Sequence, residues 1–498
     1  MKKRACGTLC AASPFFHFSL IFPRYTGTNK SQRRHLVCTV KNLFWLSVCW
    51  LLWGLQSLVL PGFRQKQGPH LLYWAREIRR LCLRRERHPK GCPPGEFNPP
   101  GQVIQGTAAA ELKTNGVYTD QTYPSVGNDE NALRVTGATV NLDQVAIRKT
   151  AGTSSQTEGG DFYGMNAAFL ATDGAKVTIK NSSVLSSVKN GNGLFCYGKG
   201  TSLDAENVTI DTTGDHSGGI QTTGGGITRA WNLKIHTSGN SSAAIRSDRG
   251  GGMVQVNGGT YVTEGSGSPA IYSTAAISVQ DAVLQAAHSE GAVIEGKNSI
   301  RLVNCTLEGA MDGQRTLGDR TFAEENVHGV MIYQSMSGDA EQGTSSFAME
   351  GGKLICHRGD LFYVTNTDCT LDLTGVSLEN LDRKGKLLRV TGNSASRGWG
   401  KAGSNGGKAK VTAVGQKLQG DIVVDTISHL DLTLGKGTVF QGAIALEKNP
   451  SGTALGSNIA VTVEKGATWN LPGDSTVDTL VNHGKINLKG HKLTVLEK

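Results

Sequence analysis

The chain has 498 residues, of which 65 are glycine, while aromatic residues make up 6% and charged residues 18%. Glycine is nearly twice as frequent as the usual ~7%, which excludes a coiled coil or a helix bundle, because glycine is the poorest ordinary helix residue. The net charge of +10 arises entirely from the first hundred residues, which contain 17 Lys and Arg against 3 Asp and Glu. The remainder is mildly acidic. We therefore expect no nucleic-acid binding, which needs basic residues on a folded face.

The first hundred residues contain an apolar segment at 43–60, LFWLSVCWLLWGLQSLVL, which is uncharged and just long enough to span a bilayer as a helix. Basic residues precede it, as in a signal anchor with a cytoplasmic N-terminus. A mis-read start is the alternative, because the Arg-, Cys- and Pro-rich stretch that follows has no apolar period. Prolines in residues 91–100 predict a stiff, extended linker. Membrane contact is expected only through this N-terminal anchor.

A repeat of about 25 residues fills the chain after residue 130. Short β-branched runs with strict alternation, such as GAKVTIKNSSVLSS (174–187), are separated by turns rich in Gly, Asn and Asp. Equivalent apolar positions recur at intervals of 25, 26, 25 and 26 residues, at Phe169, Leu194, Ile220, Ile245 and Ile271. Three strands per repeat and no helix predict an all-β fold, a parallel β-helix of residues 131–498, with residues 101–130 as its N-terminal cap.

Several segments carry a resemblance to known proteins: DENALRV (129–135), NSSAAIRSDRGGG (240–252), VIEGKNS (293–299), VMIYQSMSGD (330–339) and VTNTDCTLDL (364–373). The coils of residues 130–495, which include these segments, resemble the right-handed parallel β-helix, or pectin-lyase-like, superfamily. More narrowly, they resemble adhesin-like secreted or surface β-helix proteins of anaerobic Gram-positive gut bacteria. The resemblance implies a right-handed solenoid and an extracellular or cell-surface location.

Catalytic motifs of that superfamily are mostly missing. Asn366-Thr367-Asp368 matches the first polygalacturonase motif, but the sequence has no Asp-Asp pair and no Gly-His-Gly. The Trp-Ile-Asp-His segment found in pectate lyases is also absent. Calcium needs six to eight converging oxygen ligands, and no dense cluster of aspartates occurs. We therefore predict no metal and no cofactor.

The repeat alignment also predicts a column of outward side chains on the third strand. If Ile220, Ile245, Ile271, Ile294 and Ile332 point inward, the residues that follow them point outward: Gln221, Arg246, Tyr272, Glu295 and Tyr333. Asp248 and Lys297 begin a second column. Coils lie about 4.8 Å apart, so Arg246 and Glu295 would flank Tyr272 on a flat face.

This column admits three interpretations. Alternating aromatic and ionic groups suit carbohydrate binding. A solvated, salt-bridged sheet face with no function is the second interpretation. In the third, Arg246, Asp248 and Glu295 supply an acid and a charge stabiliser for glycosidic cleavage.

Three insertions interrupt the repeat, at 151–166, 309–328 and 394–408. The first two fall between the second and third strands, so we expect them to overhang the same edge, beside the outward column. The third contains Trp399 and leaves from a different corner. Long loops on a regular scaffold commonly carry function.

Together these features predict a monomeric, non-enzymatic, adhesin-like protein at the cell surface or outside the cell. Its expected partner is a polysaccharide or a cell-surface glycan of a host. The alternative is a polysaccharide lyase or glycoside hydrolase with an unfamiliar site. A stalk that only presents another module is a third possibility.

Overall fold

The computed structural model describes residues 102–317 and 320–496. The predicted anchor at 43–60 and the linker at 91–100 lie outside the described residues. No helix among the described residues combines the length and apolarity needed to cross a bilayer.

The described residues confirm the parallel β-helix. Each coil runs through three short strands, and each of these strands hydrogen-bonds in parallel with its counterpart in at least one neighbouring coil. Three faces result, which we call A, B and C in the order in which the chain visits them within a coil.

Face A consists of β2 (Gly116–Thr119), β5 (Thr139–Asp143), β8 (Lys176–Lys180), β11 (Ser202–Glu206), β14 (Gly226–Thr237), β16 (Gly252–Thr263), β18 (Ala276–Gln280), β21 (Ser299–Val303), β26 (Thr344–Glu350), β29 (Asp368–Thr374), β32 (Lys408–Val414), β35 (His429–Leu434), β38 (Ile459–Val463) and β41 (Thr479–Asn482). Strands β14 and β16 run on through the next corner and also contribute to face B.

Face B is completed by β3 (Thr122–Ser125), β6 (Ala146–Lys149), β9 (Ser183–Ser186), β12 (Thr209–Thr212), β19 (Val283–Ala286), β22 (Thr306–Gly309), β27 (Lys353–Cys356), β30 (Ser377–Asn380), β33 (Lys417–Gln419), β36 (Val439–Gln441), β39 (Thr468–Asn470) and β42 (Lys485–Asn487).

Face C consists of β1 (Thr107–Leu112), β4 (Glu130–Thr136), β7 (Phe169–Thr172), β10 (Leu194–Tyr197), β13 (Ile220–Thr223), β15 (Ile245–Ser247), β17 (Ile271–Ser273), β20 (Ala292–Glu295), β25 (His328–Tyr333), β28 (Asp360–Thr365), β31 (Leu388–Val390), β34 (Ile422–Asp425), β37 (Ile444–Glu447), β40 (Ser475–Val477) and β43 (Leu493–Val495).

Within the described residues, one helix and one hairpin of two strands lie outside these faces, and both belong to insertions. The first insertion folds as the short helix α1 (Thr157–Tyr163). The second forms an antiparallel hairpin of β23 (Gln314–Leu317) and β24 (Arg320–Ala323).

Alternation within each strand places one set of side chains inside the coil stack. In β8, for example, Val177 and Ile179 are buried, while Lys176 and Lys180 are exposed. Burying an aliphatic side chain contributes about 1.5–3 kcal/mol, and each coil obtains this burial only from its neighbours. One continuous apolar core accordingly extends from Tyr123 to Val477.

The segment at 101–130 continues this stack. It contains β1, β2 and β3, which pair in parallel with β4, β5 and β6 of the next coil. The predicted cap is therefore built as a coil of the same kind.

Asparagines form the corner between faces A and B in three successive coils. Asn181, Asn207 and Asn232 have φ values of 48°, 54° and 52°, in the left-handed region that asparagine tolerates better than most residues. The side-chain amide of Asn232 donates to Asn207 Oδ1 at 2.8 Å. The corner is thus stabilised by side chains as well as by the strand ladders.

Candidate functional site

The strand register confirms the first half of the predicted column and corrects the second half. Gln221, Arg246 and Tyr272 are direct partners on β13, β15 and β17. Tyr272, however, pairs with Val293, and Glu295 pairs with Tyr333. The alignment of Ile294 with Ile271 was therefore wrong by two residues.

The physical reason for this error is the period of a strand. Ile271 lies opposite Ala292, so this coil is shorter than those before it, and Ile294 lies opposite Ser273. A shift of two residues leaves inward and outward positions unchanged, so alternation alone cannot reveal it. Lys297 is displaced with Glu295 and does not extend the column of Asp248. It occupies the turn after β20, where its ammonium lies 3.9 Å from Glu341.

Loops cover the outward side of face C around Arg246 and Tyr272. The prediction of a flat, exposed face was therefore wrong. Residues of all three insertions line a cavity of about 260 Å³ above Arg246 and Tyr272. The first insertion contributes Asp161, the second Arg315 and the third Trp399. The first two leave from the corner between faces B and C and the third from the corner between faces C and A, as predicted.

A fourth segment, 334–343, also reaches the cavity through Asp339. It connects β25 with β26 and was missed, although its sequence, QSMSGDAEQG, breaks the repeat with polar and glycine residues.

Gln221 is covered by the helix α1 and is not available to a ligand. Its side chain is fully buried beneath α1, and its amide donates to the Asp161 carbonyl oxygen at 2.8 Å. This predicted ligand-binding residue therefore anchors the helix that forms one wall of the cavity.

Arg246 is the centre of a buried ionic cluster at the base of the cavity. One guanidinium nitrogen lies 3.3 Å from Asp161 Oδ1, and the other lies 2.8 Å from Asp248 Oδ2. Asp161 also contacts His216 Nδ1 at 3.1 Å and accepts a hydrogen bond from the Asn190 amide at 3.0 Å. The cluster ties the insertion helix to the strand ladder.

One guanidinium shared by two buried carboxylates gives them opposite pKa shifts. Burial opposes the ionisation of Asp161, but Arg246 and His216 lower its pKa below the ordinary value. Burial raises the pKa of Asp248 to about 7, because Arg246 offsets only part of that effect and the charges of Asp161 and Asp339 add to it. Asp248 therefore carries a proton for much of the time near neutral pH.

Glu295 lies at the centre of a second cluster and is only 1% exposed. Its carboxylate accepts hydrogen bonds from the hydroxyl groups of Tyr272, Tyr333 and Ser335. It is therefore not available to a ligand, but it fixes the positions of two tyrosines, and both of these line the cavity.

Serines at the start of the loops after β25 and β31 clamp glutamates in similar ways. Ser335 and Ser337 bond to each other and to Glu295. Ser394 uses both its amide and its hydroxyl to bind Glu325, at 2.7 and 2.6 Å. The clamps fix the loops that carry Ser335 and Trp399.

Aromatic rings and a guanidinium form one wall of the cavity. The rings of Tyr333 and Trp399 lie 4.8 Å apart between centroids at an angle of 59°. The guanidinium of Arg397 lies 4.2 Å from the centre of the Trp399 ring and donates to Glu324 at 3.0 Å. Such a wall offers apolar surface and hydrogen-bond donors side by side.

This arrangement suits a polar ligand with an apolar face. The described residues contain no group of three or more His, Cys, Asp or Glu side chains that could hold a metal ion. Cys196, Cys305, Cys356 and Cys369 are buried, and burial raises the pKa of each thiol, so none is a reactive thiolate.

Comparisons of the chain with protein-family models, with curated proteins and with solved structures give no match.

Proposed function

We propose that this protein binds carbohydrate in the cavity on face C and that it does so without catalysis. The observation that carries the proposal is the wall of Tyr333, Trp399 and Arg397 facing the outward column of a rigid β-helix. A volume of about 260 Å³ is slightly below the usual ~300–1,000 Å³ of small-molecule pockets, so we propose one or two sugar rings as the bound portion.

The state of the carboxylates favours binding over catalysis. Asp161 is engaged by Arg246, His216 and Asn190, and Glu295 is engaged by the hydroxyl groups of two tyrosines and two serines. A nucleophile or base held in this way has no free lone pair facing a substrate. These groups act instead as supports that hold the cavity walls in place.

The wider setting is part of the same proposal. We propose that the chain is a monomeric, adhesin-like protein outside the cell or at its surface, with a right-handed helical sense and kinship to the pectin-lyase-like superfamily. Its partner would be a polysaccharide or a host glycan. The long parallel solenoid supports this setting, because such scaffolds present extended binding surfaces.

The test is a glycan array probed with the full chain, followed by calorimetric titration of the strongest ligand. We expect Trp399→Ala to weaken binding at least about tenfold, which corresponds to about 1.4 kcal/mol. Val414→Ala, an exposed apolar position on β32 of face A, is the matched control and should bind normally. Equal binding by Trp399→Ala and the wild type would refute the proposed site.

A second candidate function, glycoside hydrolysis, is favoured by one observation. With a pKa of about 7, Asp248 is a suitable general acid. It would protonate the leaving glycosidic oxygen, water would add hydroxide to the anomeric carbon, and the remaining proton of that water would return to Asp248. Release of reducing ends from polysaccharides by the wild type, but not by Asp248→Asn, would establish this function over simple binding.

A further inference from the structure

Face A carries a second depression, away from the loops that cover face C. It is a trough of about 250 Å³ that runs across neighbouring coils. Trp231 of β14 lies at one end, Arg301 of β21 lies at the other, and Ser278 of β18 lies between them. None of these residues belongs to the cavity on face C.

The strand register explains why the surface is recessed there. Arg229, Gln255, Ser278 and Arg301 occupy equivalent outward positions in four successive coils. Three of the four are long side chains, and Ser278 is short. With coils about 4.8 Å apart, one short residue between Gln255 and Arg301 leaves a gap in the outer surface.

The indole of Trp231 forms the apolar side of the trough. Trp231 is 41% exposed, whereas Trp469, which lies in the core, is 0% exposed. A large aromatic residue held open on a rigid strand offers a flat surface for stacking at little cost in conformational entropy.

The other lining groups are neutral hydrogen-bonding side chains. Gln255, Asn257 and Gln280 make no side-chain hydrogen bond with any other residue in 102–317 or 320–496. Each amide therefore has two donors and one acceptor available to a ligand. The charge of Arg301 is already matched by Glu350, whose carboxylate lies 3.2 Å away. The trough thus offers a stacking surface and neutral hydrogen bonds without an unpaired charge.

We propose that this trough is a second carbohydrate site, specific for uncharged sugars of the hexose or pentose type. The apolar face of a pyranose ring stacks on Trp231, and its hydroxyl groups bond to Gln255, Asn257 and Gln280. This proposal does not depend on the cavity on face C. With both sites present, one chain binds a glycan at two points, which raises avidity without new contacts.

The experiment titrates the full chain with four neutral hexasaccharides, of glucose, xylose, mannose and galactose, each β-1,4-linked, and measures the heat of binding by calorimetry. We expect saturable binding of at least one of them. Trp231→Ala and Ser278→Lys should each weaken it at least tenfold, the first by removing the stacking surface and the second by filling the trough. Val414→Ala, on the same face but farther along the stack, is the matched control.

Two results would overturn the proposal. One is the absence of saturable binding by all four hexasaccharides. The other is binding that survives both Trp231→Ala and Ser278→Lys. If Trp399→Ala instead abolished such binding, the result would support the proposed function of face C and refute the second site. Loss of binding in Trp231→Ala with normal binding in Trp399→Ala supports the trough, whatever the outcome at face C.

Discussion

Replacing Asp248 with asparagine should change how stability depends on pH. The folded-state pKa of Asp248 is raised from 3.8 to about 7, so the folded protein holds this proton more tightly than the unfolded chain does. The wild type therefore loses stability as pH rises through this interval. A shift of about three pKa units corresponds to about 4 kcal/mol, at 1.36 kcal/mol per unit. Asparagine does not ionise, so Asp248→Asn avoids this loss.

The assay is equilibrium unfolding in guanidinium chloride, followed by circular dichroism of the full chain between pH 4 and pH 8. The difference in unfolding free energy, variant minus wild type, should rise by about 4 kcal/mol across this range. Its absolute value also includes a contribution that does not change with pH, because an amide group replaces the carboxyl group that accepts from Arg246. Asp372→Asn, at an exposed position on β29, is the control for the loss of one carboxylate. A flat difference for Asp248→Asn would refute the proposed charge balance around Arg246.

Three further changes test other parts of the structure by the same unfolding assay. Burial alone would raise the pKa of Glu290, but hydrogen bonding to His328 and the charge of that residue lower it to about 2. The resulting stability is present above pH 4.5 and is lost as pH falls toward 2. Glu290→Gln should therefore lower the free energy of unfolding by about 3 kcal/mol at pH 6 and by nothing at pH 2. An equal cost at both pH values would contradict this. Glu295→Ala removes the acceptor of four hydroxyl groups and should cost about 2–4 kcal/mol. Glu295→Gln should cost less than half of that, because it keeps an acceptor, and equal losses would show that the hydroxyl groups do not depend on residue 295. Gly259→Ala should cost about 2–4 kcal/mol, because its Cβ would lie 2.3 Å from the Leu233 carbonyl oxygen. Gly375→Ala has open space around the added Cβ and should cost only the ~1–2 kcal/mol of its positive φ. Similar losses for the two variants would mean that the coils are less tightly packed at Gly259.

The repeat was predictable because it comes from local chemistry. Alternating β-branched residues and turn residues recur at a fixed spacing, and the positions from Phe169 to Ile271 are indeed strand partners. The insertions were also visible as breaks in that spacing. The position of the first two over face C followed from the corner at which both leave the stack, whereas the arrival of Trp399 from the third insertion in the same cavity was not predicted.

The details of the site depended on contacts between residues far apart in the chain. Asp161 reaches Arg246 only because α1 folds back over the strands. Glu295 was predicted to be exposed, yet the loop after β25 covers it through Ser335. Such coverage follows from loop conformation, which no short repeat in the sequence encodes. The two-residue error at Ile294 had a similar origin, because a shortened coil preserves alternation while it changes the partners.

The stacking of coils in register is tested most directly by disulfide formation between engineered cysteines. Thr412, Thr433 and Thr462 are outward partners in three successive coils. Adjacent strands lie about 4.8 Å apart, within the range that a disulfide bridges, whereas alternate coils lie about 10 Å apart and beyond it. The structure predicts that Thr412→Cys with Thr433→Cys oxidises to a disulfide in the folded full chain, while Thr412→Cys with Thr462→Cys does not. Efficient bridging of the second pair, or none of the first, would contradict the coil register on which the cavity and the trough depend.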